Sequence, residues 1–222
     1  MKFYAFNDDD GDTVNLFLDH NTTALVQWND SYYDENGMPS NVNGPDNVLE
    51  QLKSDTAVWQ GVESPTKYNV DQDVQTGKAK YIINYKDGGY NARLITIQYI
   101  DQITKNTSWN ESILEFGYFF DTKTSNYSET CERGNTSGCK YGRLYDRTDI
   151  DCKKYGCSNN ADLSMKGNGY WTFSASPYSS YAWGVDYKGG VPIYYDLEPY
   201  QIKYSFQYGV RPVIEILKSK LD

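Results

Sequence analysis

His20 is the single histidine of the 222-residue chain, and it sits in the run Leu18-Asp19-His20-Asn21-Thr22. A histidine beside an aspartate is half of a general-base pair. No second histidine and no partnered nucleophile accompanies it, so the sequence predicts a hydrogen-bonded structural histidine at a strand end. Carboxylates are the other source of chemistry. Asp186, Asp196 and Glu198 share one tyrosine-rich stretch, and glycoside hydrolysis needs two positioned carboxylates. A carbohydrate-active hydrolase built on them is the enzymatic alternative, but spacing along a loop does not set two of them face to face. The cluster Asp8-Asp9-Asp10-Gly11-Asp12 has the composition of a calcium loop. Placing Gly11 at its sixth position would make Phe6 the first ligand and Phe17 the twelfth, so the cluster reads as a turn. No glycine-rich phosphate loop, Gly-x-Ser-x-Gly elbow or His-Glu-x-x-His occurs. The expectation is a non-enzymatic chain without cofactor or metal.

Four cysteines, Cys131, Cys139, Cys152 and Cys157, are separated by seven, twelve and four residues. Zinc ligands come in pairs about two to four residues apart and often include histidine, so the first pair fits badly. An even set in a Gly/Asn-rich segment reads better as two disulfides. Three connectivities are open, and local pairing, Cys131–Cys139 with Cys152–Cys157, is preferred. Closing such short loops would contribute roughly 2–3 kcal/mol each and implies an oxidising location.

The third chemical feature is a surface rather than a centre. Nine of the 22 tyrosines fall between Tyr170 and Tyr208, interleaved with Ser, Gly, Asp and Gln. Tyrosine offers a large, stiff, amphipathic contact at low entropy cost, and Ser and Gly supply spacing and adaptable hydrogen bonds. An aromatic-rich β-sheet would have a similar composition, because tyrosine also favours strands. Read as a recognition surface, the stretch nominates Phe173, Ser174, Ser176, Tyr178 and Ser179 as ligand-binding residues. Further along it nominates Asp186, Tyr187, Lys188, Tyr194, Tyr195, Asp196, Glu198, Tyr200 and Gln201.

Elements must position these residues. Lys2–Phe6 and Thr13–Leu18 read as strands joined at Asp10-Gly11, a hairpin. Residues 30–47 form a Gly/Pro/Asn loop. Pro45-Asp46-Asn47 then opens a helix to about Asp55, with Val48, Leu49 and Leu52 on one face, and Trp59-Gln60-Gly61 ends it. Lys80–Tyr85 is a short strand before a Gly88-Gly89 turn. Thr96 caps a second helix, whose apolar stripe is Ile97, Ile100 and Ile103. About residues 105–165 form a polar insertion that carries the cysteines. Six Asn-x-Ser/Thr sequons, at Asn21, Asn29, Asn106, Asn110, Asn126 and Asn135, carry no glycosylation claim in so Asn-rich a chain. The fold class expected is α+β, one domain over residues 1–222, with two helices on short antiparallel strands.

Bulk properties narrow the partners. The net charge of −9 argues against nucleic acid and leaves no polybasic membrane patch. No run approaches the roughly 20 apolar residues that span a bilayer, and Met1–Phe6 is too short and strand-like for a signal peptide. With the cysteines, this points to an extracellular or cell-surface segment of a longer anchored chain.

Arg93-Leu94-Ile95-Thr96 resembles the helix start of C-type-lectin-like domains related to formylglycine-generating enzyme. An ordered series follows: Gly169-Tyr170-Trp171-Thr172, Ala182-Trp183-x-Val185, Gly189-Gly190 and Tyr208-Gly209-Val210-Arg211-Pro212-Val213-Ile214. It resembles the closing strands of such domains in bacterial surface proteins and in the variable proteins of diversity-generating retroelements. The resemblance covers roughly residues 92–217. It implies pairing of the N- and C-terminal strands, two packed helices and a loop-rich binding face. It also implies scaffold roles for Arg93, Leu94, Trp171, Ala182, Trp183, Gly209 and Arg211, and diversification of the residues between those words. The copper-binding cysteines of the enzymes have no counterpart in Gly169–Asp222. Glu198-Pro199-Tyr200 and Trp28-Asn29-Asp30 stand in the wrong order for calcium-dependent sugar binding, and Tyr200 lacks the ligating amide. The function expected is an adhesin or receptor-binding module on a bacterial surface, pilus-like appendage or phage, engaging a protein or glycan on another cell.

Overall fold

A computed structural model describes residues 1–6, 11–22, 25–30, 35–36, 41, 43–65, 70–72, 79–104, 144, 169–175, 181–185, 197–201 and 207–221. The architecture is mixed α+β. Strand β1 (Phe3–Phe6) pairs antiparallel with β2 (Thr13–Leu18), from Phe3 opposite Leu18 to Phe6 opposite Asn15. The expected hairpin is present. On its other edge β2 receives β10 (Val213–Leu217), with Val213 opposite Phe17 and Leu217 opposite Thr13. The first and last strands of the chain therefore share one sheet, as the resemblance implies. Beyond β10, Arg93 and Val213 exchange two backbone hydrogen bonds of 2.8 Å, and the Glu63 N–H donates to the Glu215 carbonyl at 2.8 Å.

The second sheet has five strands, in the order β3 (Leu25–Val26), β9 (Tyr208–Gly209), β6 (Tyr170–Ala175), β7 (Tyr181–Val185) and β8 (Leu197–Gln201). Among the described residues its β9–β6 pair is parallel, at Tyr170 and Gly209, and the other pairs are antiparallel. Two further strands, β4 (Val70–Gln72) and β5 (Ala79–Ile82), form a small ladder. The strand expected over Lys80–Tyr85 ends earlier. The chain turns after β5, and Tyr85 packs into the core against Tyr90 and Phe173.

Helix α1 (Asp46–Thr56) starts and ends close to the positions its sequence signals. Asp46 in its first turn accepts hydrogen bonds from the Asn47 N–H at 2.8 Å and the Asp30 N–H at 3.2 Å. It also complements the positive end of the helix dipole. Lys53 in the last turn donates to the Gly88 carbonyl at 2.7 Å and lies over the Tyr90 ring. Val48, Leu49 and Leu52 are buried, as their spacing predicts. Helix α2 (Ile97–Thr104) is capped as expected, the Tyr99 N–H reaching the Thr96 hydroxyl at 3.4 Å. Ile97 and Ile100 are fully buried.

Three tryptophans, Trp28, Trp171 and Trp183, anchor the interior. Burying side chains of this size contributes on the order of 3 kcal/mol each. The indole N–H of Trp28 donates to the Thr172 carbonyl at 3.1 Å, and that of Trp171 to the Val26 carbonyl at 2.8 Å. These two bonds tie β6 to β3 and to the residues just past it.

A candidate recognition face and a polar recess beside it

Strand β6 carries two of the nominated ligand-binding residues, and the structure corrects both. All six residues of β6 are buried, with Phe173 and Ser174 at 0% exposure. Both faces of the strand are covered, Trp171, Phe173 and Ala175 joining the main apolar cluster and Tyr170 and Ser174 bonding to Leu144 and Ile97, and its register against β7 is irregular. Trp171 faces Gly184 and Ala175 faces Ala182, so four steps along β6 match two along β7. The extra residues are held in place by side chain and backbone together. The Thr172 hydroxyl donates to the Trp183 carbonyl at 2.8 Å and accepts from the Ser174 N–H at 3.2 Å. The Phe173 N–H reaches the Ile95 carbonyl at 2.9 Å, and the Ser174 hydroxyl accepts the Ile97 N–H at 3.2 Å. Ser174 thus satisfies a backbone donor at the start of α2, and Phe173 fills the core. Neither can touch a ligand.

Glu198, Tyr200 and Gln201 lie in β8, opposite Gly184, Ala182 and Tyr181 of β7. Ser176, Tyr178, Ser179, Asp186, Tyr187, Lys188, Tyr194, Tyr195 and Asp196 lie outside the described residues, as do the four cysteines. The strand ends that carry them are defined. Residues 176–180 join Ala175 to Tyr181, whereas residues 186–196 join Val185 to Leu197 at the opposite end of the same strands. Five-residue β7 separates those ends by about 13 Å at 3.3 Å per step. The nominated residues thus divide into two groups with separate attachments.

The words assigned to the scaffold are interior. Arg93, Leu94, Ala182 and Trp183 are fully buried and Trp171 nearly so. A Cβ on Gly209 would overlap the Asn21 side chain, and one on Gly169 would meet the Val185 carbonyl oxygen at 2.6 Å. Arg211, expected to be structural, is fully buried and donates to three carbonyls: Leu18 at 2.7 Å, Leu144 at 2.8 Å and Asp19 at 3.2 Å. It also lies 4.0 Å from the Phe17 ring centroid. Arg93 donates to the Asn15 side chain at 2.8 Å and stands 3.6 Å from Glu215, inside the sheet. Asn21 and Asn29, two of the six sequon asparagines, are also at 0% exposure and present no amide for modification in the folded domain.

His20 is buried as well, with 3% exposure. Its pKa is lowered, first by burial, against the opposing pull of Asp19, and further by Arg211 and the N-terminal amino group. No group of three His, Cys, Asp or Glu residues that could hold a metal occurs among the described residues.

One concavity escaped the sequence reading. A recess of about 430 Å³ opens between α1, β3 and the start of β9. Its α1 wall is Asn47, Glu50, Gln51 and Ser54, the i, i+3, i+4, i+7 stripe beside the helix's buried face. Leu25, Val26 and Gln27 come from β3 and its exit, with Asp30 and Gln207 at the edges. The Asn47 amide donates to Asp30 at 2.7 Å, and the Gln51 amide to Asp55 at 2.8 Å. Just past Glu50, burial and then the Glu50 charge push the Tyr90 phenol upward. Recurrent amides at helical spacing were the available signal. Gln207 ends the tyrosine-rich stretch without belonging to any motif.

No family model matches the chain, and neither the curated proteins nor the solved structures yield a match.

Proposed function

We propose that this chain is a non-enzymatic recognition domain with a C-type-lectin-like scaffold, displayed at a cell surface, appendage or phage particle. Its partner is a protein or glycan on another cell. The observation that carries this reading is the separation of the two interleaved sets of residues. Most of the scaffold words are buried and most of them hydrogen-bonded, while nine of the fourteen nominated residues fall in sequence between β6 and β7 or between β7 and β8. The pairing of β2 with β10 and the two helices match the architecture the resemblance implies. Loops held by rigid strands are where recognition residues usually sit.

The larger group, Asp186 to Asp196, hangs from the Val185 and Leu197 strand ends and supplies three tyrosines. Tyrosine side chains offer a large contact area at low entropy cost. Replacing Tyr187, Tyr194 and Tyr195 together by Ala is expected to abolish capture of target cells by the domain, with the thermal unfolding transition unchanged. Retained capture would refute the assignment. Diversification is tested separately, by sequencing the coding region in related isolates. Differences confined to the positions between the scaffold words support it, and differences spread evenly along the chain refute it.

A further inference from the structure

The recess between α1 and β3 has a chemistry of its own, independent of the tyrosine-rich face. Four of its lining side chains are amides, Gln27, Asn47, Gln51 and Gln207, and each of these carries both donors and an acceptor. Asp30 and Glu50 add acceptors, and Ser54 adds a hydroxyl. No Lys or Arg is among the described residues that line it. An anionic ligand would meet two acidic side chains and no cation. An ammonium ligand would use the carboxylates but leave the amide N–H groups unmatched, because it can only donate. An apolar ligand would strip water from seven polar side chains and return nothing. A ligand whose every group both donates and accepts matches this wall, and hydroxyls have that property.

We infer that this recess is a binding site for a neutral, hydroxyl-rich ligand, a carbohydrate of one or two sugar units, held without calcium. Leu25 and Val26 form the apolar part of its lining, against which the C–H face of a sugar ring can pack. The volume lies within the range of small-ligand clefts. Asn47 is oriented by its hydrogen bond to Asp30 and Gln51 by its bond to Asp55. Their amide oxygens are thereby fixed before a ligand arrives, and less ordering entropy is lost on binding.

The test is an amide chemical-shift titration of the full chain with lactose, maltose and cellobiose at millimolar concentration, with and without EDTA. Putrescine serves as the cationic control. At least one sugar is expected to shift Gln27, the Asn47–Ser54 segment and Gln207, whether or not EDTA is present. The exposed pair Glu50→Ala and Gln207→Ala, combined, should weaken that binding roughly tenfold or more. Ser54→Trp, which fills the recess from an exposed position, should abolish it. The Tyr187, Tyr194 and Tyr195 triple variant should bind sugar as the parent does, so a failure of one site is distinguishable from a failure of the other. The inference is overturned if no sugar shifts these residues, if putrescine alone does, if EDTA abolishes the shifts, or if the recess variants bind unchanged.

Discussion

At the scale of single residues, two buried cationic or titratable groups organise the join between the chain's ends. Arg211 threads from the segment before β10 to the carbonyls of Leu18, the last residue of β2, and Asp19, the first beyond it. A guanidinium is suited to this role because its planar fork can address several carbonyls at once. His20 follows directly, with no hydrogen bond to its Nδ1 among the described residues. Its ordinary pKa of 6.5 is lowered in the fold, chiefly by burial, although Asp19 opposes the shift and Arg211 and the N-terminal amino group reinforce it. Below pH 6.5 the unfolded chain therefore binds a proton at this site that the folded chain resists. Stability falls as pH drops from 6.5 toward the lowered value, and no further loss from His20 occurs below it. His20→Gln is expected to flatten this part of the stability profile. Urea titrations of both proteins at intervals between pH 7.5 and 5 read the difference, and parallel profiles would show that His20 does not titrate with folding.

At the scale of elements, β6 decides how the recognition segments are held. Thr172 bridges its irregular register, and its buried hydroxyl serves both Trp183 and Ser174. Thr172→Val keeps the shape and removes both bonds, leaving the Ser174 N–H and Trp183 carbonyl short of a partner. The expected cost is about 1–3 kcal/mol, read as a lower melting temperature and as faster amide exchange at Ser174 and in β7. Unchanged exchange would mean that backbone pairing alone fixes the register. The same element marks the limit of what was legible beforehand. The β1–β2 hairpin, α1 and the Thr96 cap follow from local periodicity and turn chemistry, and they appear where expected. Phe173 and Ser174 were misread because β6 is covered on both faces, and composition alone does not separate such a strand from one with a solvent face. Strands β3, β8 and β9 are too short, or too poor in aliphatic residues, to stand out from a polar chain. The recess combines residues from 25 to 207, so only the α1 stripe could have hinted at it.

At the scale of the molecule, one segment closes the fold. Strand β10 is bonded on both sides, to β2 along its length and to Arg93 and Glu63 across its other edge. It also brings Val213, Ile214 and Glu215 into the interior. Leu144 reinforces the same region from the middle of the chain, its carbonyl accepting the Tyr170 hydroxyl at 2.7 Å and Arg211 at 2.8 Å. Three distant parts of the sequence thus meet where β9 passes into β10, which is why the scaffold words lie at both ends of the tyrosine-rich stretch. Losing the buried apolar side chains of β10 would forfeit about 1.5–3 kcal/mol each, before the stranded Arg93 and Glu63 backbone groups are counted. That sum reaches the lower end of a domain's entire stability of about 5–15 kcal/mol. Truncation after Pro212 is therefore expected to abolish cooperative thermal unfolding. Truncation after Leu217 removes mainly the exposed turn at Lys218–Lys220, with the surface pair Lys220–Glu63 and one backbone bond to Asp12. It should lower the melting temperature only slightly, since exposed ion pairs contribute little. Circular dichroism melts of the two truncations separate the cases. A cooperative transition in the shorter chain would show that the β1–β2 hairpin and the five-stranded sheet hold together without the closing strand.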